Sequence, residues 1–224
     1  MRKNKAMTSL GLLAAVAVTA AIVLGAVAQG DEQPVPDGQG DYTDIALDPK
    51  LAARFSALAE PKGPDDRLPS SVNASGRQGP NLVLNPDLAR RGGTYANGGA
   101  SYLVPGDNGL CIVLVPSADA AGAGVACNET SQIEAGLLGP ASLYGGCEAA
   151  SDDKAPPTCG TETIYGIAPD GVERVELRMG DGSVRSVDTV NNTYALELAD
   201  GAQARSLSWQ GPDGGTLRSF RLGG

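Results

Sequence analysis

The chain has 224 residues, no histidine and a formal net charge of −9. Without histidine, the commonest general base and the commonest zinc ligand are missing, and Ser-His-Asp or Cys-His catalysis is excluded. The acidic balance repels phosphate backbones, so we expect no nucleic acid partner.

The N-terminus carries the pattern of an export segment. Three basic residues lie within the first five positions, and residues 6–30 follow without a charge. A basic flank before an apolar run, with acidic residues after it, places the N-terminus inside and the rest of the chain outside. We therefore predict a signal peptide or signal anchor over residues 1–30, a hydrophobic helix through which the membrane is a partner.

The fate of this segment stays open. Cleavage after Ala28, at the site Ala26-Val27-Ala28, would release a secreted domain. The apolar run, however, is longer than the usual signal core of roughly 7–15 residues and is long enough to cross about 30 Å of hydrocarbon. The extracytoplasmic part is therefore either single-pass anchored with its N-terminus inside, or secreted.

Next, residues 31–47 predict a disordered acidic linker, because they are polar and rich in glycine and proline. Residues 48–80 predict an appended helix and loop. The helix covers residues 48–59, and its signals are a cap, a proline at the first position and an apolar stripe at i, i+4 and i+7: Asp48, Pro49, Leu51, Phe55 and Leu58. Because a helix this short is not stable alone, we expect it to pack on the later domain.

Residues 81–224 predict one β-rich extracytoplasmic domain. Its front half is irregular, with a second short helix at 85–91, strands at 101–105 and 110–115 joined by a turn, and a helical turn within 130–138. The strand at 110–115 is apolar on both faces, which is typical of a buried central strand.

The last third of the chain alternates strands and turns. Within 172–179, alternation puts Val175, Leu177 and Met179 on one face and Arg174, Glu176 and Arg178 on the other. Trp209 is expected in the core. Six short strands predict an antiparallel immunoglobulin-like sandwich, so the fold class is mainly β. They are 163–169, 172–179, 183–190, 193–198, 204–209 and 216–222.

The four cysteines predict disulfides, because an even count in an exported chain favours pairing. Three pairings are possible, and we favour Cys111–Cys127 and Cys147–Cys159 because sequential pairs close short loops. Each disulfide would stabilise the fold by about 3 kcal/mol, because it closes a loop of this size. A metal site is disfavoured, since there is no C-x-x-C motif and no histidine.

The order of these segments resembles a group of uncharacterised exported proteins from high-GC actinobacteria. The likeness runs over about residues 48–222, and its clearest motifs are YLVPGDNGLCIV, with a second cysteine at Cys127, and IYGIAPDGVERVELRMGDG followed by VNNTYALEL. It implies the same layout of strands and turns, and no activity. Cys147 and Cys159 are not part of the pattern.

Candidate catalytic or metal-binding residues are few. Asp152 and Asp153 are adjacent in a loop and are expected to be solvated. Four acids at 31, 37, 41 and 44 lack the spacing and terminal glutamate of an EF-hand, so we expect no calcium site. The glycines of 211–215 predict a turn and not a phosphate cradle, since no helix follows them. We expect no catalytic, cofactor or metal residue.

These observations favour a non-enzymatic binding or structural module of the cell envelope, acting on an unknown envelope ligand or protein. The alternative is a hydrolase of envelope polysaccharide that uses two carboxylates, which would lie about 5–10 Å apart in a cleft. A sensor ranks last, because only five residues precede the apolar run.

Overall fold

The computed structural model describes residues 45–70, 72, 76–77, 82–95, 98–117, 123–144, 147–148, 158–159, 161–199 and 201–222. The predicted N-terminal hydrophobic helix and nearly all of the acidic linker lie outside these residues. Within the described ranges, no helix has both the length and the apolar character needed to cross a bilayer.

The helix predicted at 48–59 is instead two short helices, α1 (Pro49–Ala52) and α2 (Ser56–Ala59). Asp48 caps α1 as expected, since its side chain accepts from the Lys50 N–H. Phe55 breaks the helix, because its φ of −130° and ψ of 94° are extended. The apolar stripe of Leu51, Phe55 and Leu58 is buried in the main core, so the segment packs on the β-rich domain.

The second predicted helix, 85–91, is wrong beyond its first turn. Asn85 accepts from the Asp87 N–H and Pro86 begins a 3₁₀ turn, Pro86–Leu88, as the sequence pattern requires. The next residues belong to strand β3 (Arg90–Thr94) because they pair with a long neighbouring strand. Local capping signals were therefore correct, and tertiary pairing shortened the element.

Six strands form the first sheet, and every pairing in it is antiparallel. Their order is β1-β2-β4-β5-β6, with β3 on β4. The members besides β3 are β1 (Gly76–Arg77), β2 (Val83–Leu84), β4 (Gly98–Gly106), β5 (Gly109–Ser117) and β6 (Gly124–Glu129). The predicted hairpin at 101–115 is confirmed, with Gly106 opposite Gly109 at its turn.

Strand β5 is buried on both faces, as expected for a central strand. Leu110, Ile112 and Leu114 face the main core. Cys111 and Val113 face a second cluster that includes Tyr102 and Leu84. Helix α3 (Thr130–Glu134) follows β6 directly, and its Ile133 also enters the main core.

The remaining strands divide between smaller antiparallel sheets. A three-stranded sheet has the order β13-β10-β7, a four-stranded sheet has the order β12-β11-β14-β15, and β8 pairs with β9. Their ranges are β7 (Ala141–Tyr144), β8 (Cys147–Glu148), β9 (Thr158–Cys159), β10 (Glu162–Ile167), β11 (Arg174–Met179), β12 (Val184–Asp188), β13 (Thr193–Leu198), β14 (Ala204–Gln210) and β15 (Thr216–Arg221).

The order of pairing departs from a simple meander. Strand β13 leaves its sequence neighbour β12 and pairs with β10, while β14 pairs back to β11. Asn191 and Asn192 make this crossing possible, since both have positive φ values of 48° and 63°. Asparagine tolerates that conformation better than most residues. Both sheets contribute to one apolar core, to which β11 brings Val175 and β13 brings Leu198.

The structure shows one of the two predicted disulfides and does not test the other. Cys111 and Cys127 face each other across β5 and β6 and form a disulfide, with their Cα atoms 4.0 Å apart, as predicted. Cys147 and Cys159 occupy paired positions of β8 and β9. Their side chains lie outside the described part of the chain, so the second bridge stays a prediction.

Candidate functional site

The outward face of the four-stranded sheet carries the most promising group of polar side chains. Alternation along β11 buries Val175, Leu177 and Met179, and turns the intervening Arg174 and Glu176 outward. This confirms the two faces expected from the sequence. A polar face built on paired strands holds its side chains at fixed spacing, which suits recognition.

Strand register decides which polar residues become neighbours. Arg174 lies between Asp188 of β12 and Gln210 of β14. Glu176 lies between Ser186 and Ser208 in the same way. Charged and hydrogen-bonding groups from three strands thus form a continuous surface at one end of the sheet.

An open cleft of about 590 Å³ occupies this end of the sheet. Its volume falls within the range of small-molecule sites, about 300–1,000 Å³. The walls combine carboxylates, one guanidinium, an amide, a hydroxyl and a glycine-rich turn. The residues are Glu173, Arg174, Glu176, Asp188, Thr189, Gln210, Gly211, Pro212, Asp213 and Gly214.

Gln210 is the most firmly held polar group of the cleft. Its side chain is only 6% exposed. The Nε2 atom donates to Ser208 Oγ over 2.9 Å and to Glu176 Oε2 over 3.3 Å, and the Oε1 atom accepts from Thr216 Oγ1 over 3.2 Å. These bonds set the position of the Glu176 carboxylate, because they fix the amide beside it.

The turn at 211–215 forms the rim. Gly214 has a φ of 74°, which glycine adopts without strain, and Asp213 Oδ1 accepts from the Gly215 N–H over 2.8 Å. The predicted turn is therefore confirmed. The turn also lines the cleft, and it begins directly after β14, whose pairing with β15 is irregular between Trp209 and Gln210.

The cleft is negatively charged, because its lining has four carboxylates against one guanidinium. Arg174 Nε donates to Asp188 Oδ1 over 2.9 Å. That hydrogen bond, with the attraction of the same carboxylate, raises the Arg174 pKa. Glu173 is exposed, lines the cleft and attracts the neighbouring Arg174 guanidinium.

This chemistry suits a ligand rich in hydroxyl or amino groups. The carboxylates accept hydrogen bonds and the Arg174 guanidinium donates them, while the N–H groups of the Gln210 amide are already used on Ser208 and Glu176. In the part of the chain that the structure describes, no three histidine, cysteine, aspartate or glutamate side chains converge as metal ligands. The cleft acids are thus spread along its walls.

A second polar cluster, Ser56, Asp170 and Asn192, serves the fold. Asp170 accepts from the Ser56 N–H and hydroxyl, and Asn192 Oδ1 accepts from the Ala57 N–H over 3.0 Å. Asn192 Nδ2 donates to Asp170 Oδ1 over 2.8 Å and to the Ala168 carbonyl over 3.1 Å. Because these groups are occupied within the chain, the cluster caps α2 and offers little to a ligand.

Sequence reasoning did not identify the cleft. The acidic residues that the sequence offered as candidates lie outside the described residues. They are Asp152, Asp153 and the linker residues Asp31, Asp37, Asp41 and Asp44. The outward face of β11 was correctly assigned, and Asp188 lies on β12, which follows β11 directly, but the position of Gln210 beside Arg174 depends on pairing with the more distant strand β14. The only signal available in the sequence was the alternation itself.

Comparison of the chain with protein-family models, curated proteins and solved structures yields no match. The cleft must therefore be interpreted from its own chemistry.

Proposed function

We propose that this chain is an extracytoplasmic binding module of the cell envelope, and that the cleft of the four-stranded sheet binds a polyhydroxylated polymer. The observation that carries the proposal is the cleft of about 590 Å³ with its acceptor-rich walls. Carboxylates, among them Glu176 held in place by the Gln210 amide, are the groups expected where hydroxyl protons are recognised. The ligand class is an envelope polysaccharide.

The extracytoplasmic location rests on two observations. The N-terminal order of basic, apolar and acidic residues directs the following chain outward. The Cys111–Cys127 disulfide is typical of an oxidising compartment. The module is either held at the membrane by residues 1–30 or secreted after cleavage at Ala28. An intact mass that starts at Gln29, measured on protein from its native host, would exclude the anchor.

The finer fold assignment is also a proposal. We infer an immunoglobulin-like sandwich from the three- and four-stranded sheets, because residues of both, such as Leu198 and Leu207, enter one core. The resemblance to exported actinobacterial proteins is proposed on the same basis, as a shared layout. An experimental structure with a different sheet arrangement would reject the sandwich.

Binding is tested by co-sedimentation of the full chain with insoluble cell-wall polysaccharide. The cleft variant is Glu173→Gln/Glu176→Gln, and the control is Glu60→Gln/Asp65→Asn, which removes the same charge from exposed residues elsewhere. We expect the cleft variant to bind at least about tenfold more weakly, a change of about 1.4 kcal/mol. Equal binding by both variants would contradict the assignment of the cleft.

The alternative function, a carboxylate-based hydrolase, is supported by the same four acids around one cleft. Hydrolysis would release new reducing ends, which binding does not. If polysaccharide incubated with the chain gains reducing ends, and the cleft variant stops this, the hydrolase replaces the binding module.

A further inference from the structure

The side chains of Arg54 and Arg218 approach each other at the surface near the end of α3. The point where a side chain on Gly136 would begin lies 3.2 Å from Arg218 Nη1 and 3.9 Å from Arg54 Nη2. The two guanidinium nitrogens are therefore at most 7.1 Å apart, the sum of those distances. Both arginines are partly exposed.

Neither arginine is neutralised within the described residues. The ion pairs found there are Lys50 with Glu134 and Arg174 with Asp188. Asp170, whose N–H bonds to the Arg54 carbonyl, uses its carboxylate oxygens on Ser56 and Asn192. Two uncompensated cations so close together are unexpected in a chain with a net charge of −9.

The end of α3 does not account for them. Three carbonyls of its last turn already accept backbone N–H groups: Ser131 from Ala135, Gln132 from Leu137 and Ile133 from Gly136. A helix of five residues has only a small dipole, so it gains little from two cations. Capping therefore does not explain the arginine pair.

The Arg218 guanidinium is held in place by aromatic rings. Its Cζ lies 5.0 Å from the Phe220 ring centroid and 5.9 Å from that of Trp209. Contact with the rings restricts the guanidinium, and Arg218 remains partly exposed. The arginine is thus preorganised to donate to an anion.

We propose that Arg54 and Arg218 form a binding site for a phosphate monoester. A doubly charged oxyanion neutralises both guanidinium groups, whereas a carboxylate neutralises one. Each guanidinium donates in a planar fork that matches phosphate oxygens. Arg54 also borders a groove of about 400 Å³, which leaves room for the group esterified to the phosphate. The groove is lined by Leu51 and Ile133 and by Lys50 and Glu134, and the Glu134 carboxylate is neutralised by Lys50. This site is separate in its residues from the acidic cleft.

The fluorescence of Trp209 reports anion binding, because Trp209 is the only tryptophan of the chain and lies beside Arg218. The full chain, in a non-ionic detergent, is titrated with inorganic phosphate and with acetate at constant ionic strength. Phosphorus NMR line broadening serves as a second readout that does not depend on Trp209. The variants are Arg54→Gln and Arg218→Gln. The control is Arg178→Gln, which changes an exposed arginine on the outward face of the four-stranded sheet.

We expect saturable phosphate binding that both variants weaken at least tenfold and that the control retains. Phosphate should bind at least tenfold more tightly than acetate. Equal phosphate binding by Arg54→Gln and Arg178→Gln would overturn the site, and equal affinity for acetate would overturn the phosphate assignment. Vesicles with phosphatidic acid, compared with phosphatidylcholine alone, then separate the sources: Arg54-dependent binding identifies a lipid-borne phosphate, and phosphate binding without vesicle binding identifies a soluble ester.

Discussion

Asp170 and Asn192 together cap helix α2, which lies more than 110 residues before them in the chain. Asn192 Nδ2 donates to Asp170 Oδ1 over 2.8 Å, and the two side chains accept the N–H groups of Ser56 and Ala57 at the start of α2. Phe55, at the cap position, offers no side-chain hydrogen bond. The helix is therefore capped from outside its own segment, and this contact joins α2 to the turn between β12 and β13.

The first prediction compares the two asparagines of that turn. Asn192→Gly keeps a residue that accepts positive φ but removes the bonds to Ala57, Ala168 and Asp170, two of which lie in buried surroundings. We expect it to lower the free energy of unfolding by about 1–3 kcal/mol. Asn191→Gly is the matched control, since its exposed side chain makes one bond to the Arg91 carbonyl. Denaturant unfolding of both variants checks the difference, and equal losses would reject the capping role.

The second prediction concerns acid stability. Burial raises the Asp170 pKa, but the hydrogen bonds from Asn192 and Ser56 outweigh it, so the net pKa is lowered. A lowered folded-state pKa contributes stability above the unfolded value of about 3.9 and loses it as pH falls through the folded value.

Asp170→Asn weakens the cap of α2 and should cost about 0.5–2 kcal/mol near pH 7, toward the lower end because Asp170 is exposed to solvent. The difference in unfolding free energy from the wild type should shrink below about pH 4. Unfolding is measured at a series of pH values, with the exposed Asp65→Asn as control. A gap that stays constant down to about pH 2 would show that the charge of Asp170 is not the cause.

The third prediction concerns the disulfides. Replacing Cys111 and Cys127 by alanine should lower the free energy of unfolding by about 3 kcal/mol, because the bridge closes a loop with a sequence separation of 16. Alkylation of the unfolded, unreduced chain, followed by mass spectrometry, should leave both residues unmodified. The same spectrum tests Cys147 and Cys159, where modification would reject the predicted second bridge.

The fourth prediction tests the packing of glycine against tyrosine. Gly166 of β10 pairs with Tyr194 of β13, and a Cβ on Gly166 would meet the Tyr194 hydroxyl and lie 2.7 Å from Cζ. We expect Gly166→Ala to cost about 1–3 kcal/mol through overpacking. Gly139→Ala is the control, since nothing lies within 4 Å of its added carbon. Thermal unfolding that ranks the two variants equally would contradict the contact.

Short-range features of this protein were predictable from the sequence. The Asp48 and Asn85 caps and the alternation along β11 all depend on residues within a few positions of one another. The pairing of Cys111 with Cys127 was predicted because sequential cysteines close a short loop, and the structure adds that the two residues face each other on adjacent strands.

Only the tertiary structure decided the rest. Phe55 ends a helix that its local pattern would continue, because Asp170 and Asn192 take the N–H groups that follow it. The cleft is completed because β11 also pairs with β14, which brings Gln210 to the side of Arg174 opposite Asp188. Contacts between residues so far apart along the chain leave no periodic signal in the sequence, since each depends on which strands find each other during folding.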